Sequence, residues 1–177
     1  MKFGPAGLGS PAVEGLKRIK EVGLDAAEVE FTYGIRMNNK TAADVGRMAA
    51  DLGISLSVHA PYYINLNSRE AKKIKDSEQR ILDTAERAHL FGGDKVVFHP
   101  GFYSGKSEED AMTMYRMELD ALVQIVEDRR WNVHLAPETT GKKTQFGSLK
   151  ELITLCSEIP ELRMTFDFAH LFARNQG

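Results

Sequence analysis

Five residues of this 177-residue chain have side chains able to gather around a cation: His59, His99, Glu138, Asp167 and His170. They lie in four short motifs, VHAPYY (58–63), FHPG (98–101), APETTG (136–141) and FDFAH (166–170). In each motif a run of β-forming residues ends on an imidazole or a carboxylate. In the first three a proline lies within two residues of that group and stiffens the loop that carries it. Two imidazoles and a carboxylate suit Zn²⁺ or a similar divalent ion, and a second carboxylate nearby lets a neighbouring ion share Glu138. Each residue also has a structural use of its own. A strand-end histidine can hydrogen-bond to backbone, Asp167 can cap a helix, and Glu138 can pair with Lys142 or Lys143. Repetition at matched positions is what points to a metal site. His134 shares parity with Glu138 but sits lower and reads as a buried structural residue, while His89 falls in a helical pattern as a core or surface residue.

These groups converge only if the elements carrying them run side by side. Strands are expected at Lys2–Gly4, Glu28–Phe31, Ser55–His59, Lys95–His99, Asn132–Glu138 and Arg163–Asp167, alternating with helical periodicity near 11–22, 41–52, 68–91, 107–128 and 147–158. Ser10-Pro11, Thr41 and Ser107-Glu108-Glu109 mark helix starts, and Gly23, Gly53 and Gly92-Gly93 mark stops. Strict alternation of strand and helix implies a parallel sheet. Residue parity then selects between architectures. Ser55, Ser57 and His59 share one face of their strand, and Leu56 and Val58 share the other. One polar and one apolar face fit an α/β (β/α)₈ barrel, whose inner face carries functional groups, better than a doubly wound sheet buried on both sides. No GxGxxG motif follows the first strand, which argues against a dinucleotide fold. Only about six βα units are expected where a closed barrel has eight in about 250 residues. The chain therefore reads as one barrel domain, 1–177, truncated at its C-terminal end.

Composition narrows the function classes. The formal net charge is −2, so no global basic field advertises nucleic-acid binding, although a local basic groove is compatible with it. The single cysteine, Cys156, cannot form an internal disulfide. No signal-peptide pattern or membrane-length apolar run occurs, and a soluble, cytoplasmic protein with no membrane partner is expected.

Taken in order, SVHAPYYINL (57–66), VVFHPG (96–101), APETTG (136–141) and DFAH (167–170) resemble the endonuclease IV family of apurinic/apyrimidinic endonucleases, within the xylose-isomerase-like barrel superfamily. The resemblance implies a metal-dependent hydrolase of DNA repair, with up to three Zn²⁺ ions cleaving the phosphodiester 5′ to an abasic site. Mn²⁺ or another divalent ion is the alternative. By motif position, His59 and His99 resemble ligands of the first ion and Glu138 a bridge between two, which makes Glu138 the catalytic candidate. Asp167 resembles a ligand of the second ion and His170 of the third. The family's remaining ligands (a His, an Asp-x-His pair and a Glu) fall beyond Gly177. The motifs also depart from the family pattern, with Glu138-Thr139-Thr140-Gly141 for Glu-Asn-Thr-Ala-Gly, Asp167-Phe168-Ala169-His170 for Asp-Thr-Cys-His, and Gly4-Pro5-Ala6-Gly7 for His-Val-Ser.

For the DNA partner, Tyr62 matches a family tyrosine that lines the groove. Tyr33, Arg36 and Met37, in the loop TYGIRMNNK (32–40), are candidates for wedge and phosphate contacts. Two other readings follow from the same residues. One is a single-metal sugar isomerase or epimerase, with Glu30, which shares inward parity with Glu28, serving a small polyol. The other is a catalytically incomplete fragment that retains part of the metal site.

Overall fold

The computed structural model describes residues 1–176. Four parallel strands form one sheet in chain order: β1 (Ala26–Glu30), β2 (Ser55–His59), β3 (Lys95–Phe98) and β5 (His134–Pro137). Helices α1 (Ala12–Glu21), α2 (Asn39–Leu52), α3 (Ala71–Phe91), α4 (Glu108–Asp128), α5 (Leu149–Glu158) and α6 (Phe168–Asn175) alternate with them. A short antiparallel pair, β4 (Gly101–Phe102) with β6 (Gln145–Phe146), joins the loops that follow β3 and β5.

The parity expected from sequence decides the layering. Ala27, Val29, Leu56, Val58, Val96, Phe98 and Leu135 point outward and are buried against the helices. The opposite face carries Glu28, Ser57, His59 and Lys95, with Ser57 Oγ donating to Glu28 Oε2 at 2.8 Å. Fully burying one such Leu, Val or Phe contributes roughly 1.5–3 kcal/mol. The sheet–helix layer can therefore hold the fold while the inner face keeps polar groups free for chemistry. On the helix side, α2 presents Ala42, Val45 and Ala49, and α4 presents Tyr115, Leu119, Leu122 and Val126. Gly46 of α2 packs where a Cβ would stand 2.7 Å from the Phe91 backbone, so glycine sets how closely α2 approaches the end of α3.

Two expected strands are much reduced. Arg163–Asp167 appears only as a single parallel bridge, Thr165 with Glu138, and at the other edge the one bridge among the described residues, Ala6 with Glu28, falls two residues beyond Lys2–Gly4. Both flank the sheet with a neighbour on one side only. Phe3 and Pro5 accept from Ala26 N and Glu28 N, but proline has no N–H with which to extend a ladder. On the other side, Arg163 N and Thr165 N donate to Leu135 and Pro137. The backbone path of six parallel segments is thus present, and it forms an open arc of the barrel.

Some helix starts also differ. Pro11 precedes α1 with no side-chain cap, so Ser10 does not serve as one. Asn38, not Thr41, caps α2, its side chain accepting from Thr41 N. Ser107 caps α4 as expected, and Gly53 and Gly92 end their helices in the left-handed conformation at φ 65° and 71°. Among the described residues, no helix is long and apolar enough to cross a membrane.

Candidate metal centre at the strand tips

Three strand ends bring His59, His99 and Glu138 to one point. His59 closes β2. His99 and Glu138 each stand one residue past the paired Phe98 and Pro137. Glu138 Oε2 lies 2.8 Å from His99 Nε2 and 3.4 Å from His59 Nε2. A tetrahedral ion with bonds of about 2.0–2.1 Å spaces its ligand atoms by roughly 3.3 Å. The two contacts bracket that value, so an ion fits after a small outward shift of Glu138. His59 and Glu138 are only 7% and 8% exposed, while His99 is half-buried.

Hydrogen bonds at the far side of two rings set their tautomers. His59 Nδ1 lies 2.7 Å from Ala60 O, and His170 Nδ1 lies 2.8 Å from Thr139 O. A ring that donates from Nδ1 to a carbonyl carries its lone pair on Nε2, the form in which an imidazole ligates a metal. Without an ion, burial raises the carboxyl of Glu138, but hydrogen bonds from His59 and His99 outweigh it and hold Glu138 down to about 2. For His59, burial lowers the imidazole, yet the bonds to Glu138 and to the Ala60 carbonyl leave it raised above the ordinary value. The structural alternative, Glu138 paired with Lys142 or Lys143, does not occur; these two histidines are its partners.

A second group meets the first at Glu138. Atoms of Glu138, Asp167 and His170 lie within 4.8 Å of one another, as do those of His59, His99 and Glu138. Asp167 caps α6 as well, its Oδ1 accepting from His170 N at 2.8 Å. Its structural and chemical uses therefore coexist, because capping occupies one carboxylate oxygen and leaves the other beside the site. The His99 and His170 rings are 5.2 Å apart. All five residues singled out from sequence thus meet at one end of the sheet. His134, at the opposite end of β5, is only partly buried, contrary to expectation, because β5 starts there at the sheet's open end; its Nδ1 bonds to Glu161 O, and the exposed His89 accepts from Asn132 N.

Aromatic rings rim the site. Tyr62, half exposed, lies edge-on to His59 at 5.5 Å and to Tyr33 at 6.3 Å. Tyr33, Arg36 and Met37 line a cavity of about 400 Å³ together with Leu8, Phe31 and Glu30. Arg36 is exposed, whereas Met37 is half-buried against the core and its carbonyl accepts from Arg87 Nε. That anchorage departs from the expectation of a free wedge. Glu30 borders both the cavity and His59. Burial, with the nearby Glu28, raises its carboxyl above the ordinary range despite the opposing pull of His59.

Residues 16–177 match the xylose isomerase-like TIM barrel family. The chain belongs to that family. The uncharacterized protein MJ0133 of Methanocaldococcus jannaschii is 36% identical over 178 residues, covering 99% of this chain and 64% of that protein. A probable endonuclease 4 of Pediococcus pentosaceus is 29% identical over 119 residues, covering 64% of this chain and 39% of the relative. The chain thus spans less than two thirds of these relatives' length. Among solved structures, a D-tagatose 3-epimerase-like protein superposes with a TM-score of 0.78 at 22% identity, covering 96% of this chain and 66% of that one. Endonuclease IV from Thermus thermophilus also gives 0.78, at 20% identity, covering 98% and 65%. At such identities the superpositions establish the barrel fold alone.

Several residues that shape the site escaped sequence reasoning. Asn65 and Asn67 join the loops after β2 and β3. Thr139 Oγ1 accepts from Asp167 N at 2.9 Å. Glu151, with Ser148, forms a capping box at the start of α5. Only the last carried a readable signal, the Ser-x-x-Glu pattern of SLKE.

Proposed function

We propose that this chain is a divalent-metal-dependent phosphodiesterase of the endonuclease IV kind, acting on DNA at abasic sites. The observation that carries the reading is the sharing of Glu138 by two ligand groups, His59–His99–Glu138 and Glu138–Asp167–His170. One buried carboxylate between two such groups suits adjacent ions, and adjacent ions suit displacement at phosphorus. When bound, they would supply a water of lowered pKa and positive charge opposite the phosphate. The chain's own part is to hold that charge in place. His59 and His99 present ring nitrogens from strand ends, and Glu138 would supply the negative charge shared by both groups. The rings of Tyr62 and Tyr33 at the mouth offer faces on which an unstacked nucleotide can rest, and the exposed Arg36 offers a phosphate contact. Similarity to the probable endonuclease 4 of P. pentosaceus supports the same direction. The donor set favours Zn²⁺, with Mn²⁺ the alternative.

A single-metal sugar epimerase is the second reading. It is favoured by Glu28 and Glu30 on the inner face beside His59, where acids can bond to a polyol, and by the superposition on an epimerase-like barrel.

One experiment separates the two. The metal-loaded chain is incubated with a duplex bearing one abasic site and, separately, with a ketohexose in deuterated water. Nicking on the 5′ side of the lesion, with more than one metal equivalent bound, supports the nuclease. One equivalent with deuterium exchange into the sugar and no nicking overturns it in favour of the epimerase.

A further inference from the structure

One arginine touches the parts of the chain that carry Glu138, His99 and His170. Arg174 lies on α6, one helical turn beyond His170, and its Nη1 reaches back across the loop that follows Glu138. There it donates to Lys142 O at 2.7 Å, Gln145 O at 3.0 Å, Thr140 Oγ1 at 3.2 Å and Thr140 O at 3.4 Å. Its Nη2 donates to the hydroxyl of Tyr103 at 3.3 Å, in the loop that follows His99. Tyr103 in turn donates to Glu151 Oε1 at 2.7 Å. The other oxygen of Glu151 accepts from Gly147 N, Ser148 N and Ser148 Oγ, so this buried carboxylate fixes the far end of the same loop. Phe146 lies beneath, with the Tyr115 ring stacked on it at 4.0 Å.

The geometry is that of a brace. Carbonyls of three loop residues and two hydroxyls, those of Thr140 and Tyr103, meet a guanidinium whose donors are fixed in a plane, an arrangement that a lysine cannot reproduce. We propose that Arg174 is a positioning residue that sets the distance between Glu138 and the Asp167–His170 pair and so controls the affinity of the ion they share. The inference rests on the two-ion reading above. Arg174 itself contacts none of the five candidate ligands; it acts through the loop 139–147 and through its own helix.

The test uses the full chain as Arg174→Ala, Arg174→Lys and Tyr103→Phe variants. Zinc affinity is read by competition with a chromophoric chelator, folding by circular dichroism, and motion by amide exchange of residues 140–147 in the metal-free protein. Removing the partners that orient a ligand typically weakens metal binding by about 10- to 100-fold. Arg174→Ala is expected to lose affinity in that range for one ion only, with faster exchange in the loop and unchanged circular dichroism. Arg174→Lys should rescue little of it, and Tyr103→Phe should show a smaller loss. Faster exchange with unaltered zinc affinity overturns the proposal, since Arg174 would then serve stability alone. A wild-type chain that takes up no ion overturns the two-ion reading itself, and the inference with it. If Arg174→Ala fails to fold, Tyr103→Phe decides: an undiminished affinity for both ions counts against the brace, and a selective loss of one supports it.

Discussion

The loops after β2, β3 and β5 rise from the same end of the sheet as the loop after β1, yet the two regions are built on opposite plans. The first three are tied to one another by side chains. Asn67, fully buried, donates to Phe102 O and Tyr103 O and accepts from Lys106 Nζ, while Asn65 donates to Ser104 Oγ and accepts from Phe102 N. Across the arc, Thr139 binds the loop after β5 to the start of α6, and Arg174 binds it to the helix's last turn. The loop after β1 has a turn from Gly34 N to Phe31 O, the Arg87–Met37 contact and a bond from Tyr62 N to Thr32 O, with Tyr33 78% exposed and Arg36 open to solvent. Under the proposed function, the contrast matches what each region would do. Metal ligands need to be in place before the ion arrives, because every group ordered on binding subtracts from affinity. A surface that meets a large and varied substrate gains from side chains free to adjust.

Substitutions can break this comparison, and the largest effect is expected at the group shared by both halves of the site. Glu138→Gln should abolish uptake of both ions, read as bound metal by mass spectrometry, while the circular dichroism spectrum persists. Retention of a full complement would remove Glu138 from the centre. Next is Gly101→Ala. Gly101 has φ 127°, and a Cβ there would stand 2.6 Å from Asn65 Cα, so strain and overpacking together should destabilise the chain by roughly 3 kcal/mol in a denaturant titration. Asn67→Ala removes the partner of two carbonyls and an ammonium group and should cost about 2 kcal/mol. By contrast, Arg36→Ala should alter stability by no more than about 0.5 kcal/mol and leave zinc affinity unchanged, while weakening binding to an abasic duplex. A stability loss at Arg36 equal to that at Asn67 would erase the distinction between braced and open loops.

Proton linkage sharpens the same picture. Glu138 is held down to about 2, so its contribution is complete above its ordinary value of 4.5 and disappears as pH falls through the lowered one. His59 is raised, so its contribution is complete below its ordinary value of 6.5 and disappears as pH climbs through the raised one. In the metal-free protein the difference in Tm between wild type and His59→Gln should therefore peak between pH 4.5 and 6.5 and shrink on both sides. Zinc uptake runs the other way at the upper edge. The proton on His59 must leave before its nitrogen can ligate, so affinity should rise with pH through that range.

Much of the framework was readable because strands repeat every two residues. The alternation Leu56–Val58 against Ser57–His59 told inside from outside. Four candidate ligands fell at expected strand ends and the fifth, His170, three residues past one, and the fold does bring them together. The edges were less readable, since whether Lys2–Gly4 or Arg163–Asp167 extends into a full strand depends on what pairs beside it and not on local propensity. The bracing was hidden for a different reason. Asn65, Asn67, Tyr103 and Arg174 look like ordinary loop and surface residues until tertiary structure sets them against groups 29 to 71 positions away in sequence. Met37 shows the reverse, because a long apolar side chain in a loop has no local signal that tells a projecting wedge from a residue folded back onto the core.

Anomalous X-ray scattering from crystals of the zinc-loaded chain tests the central claim most directly. The account predicts two peaks flanking Glu138, one at about 2.0–2.2 Å from atoms of His59 and His99 and the other at similar distance from Asp167 or His170. A single peak away from Glu138, or none at saturating zinc, would contradict it.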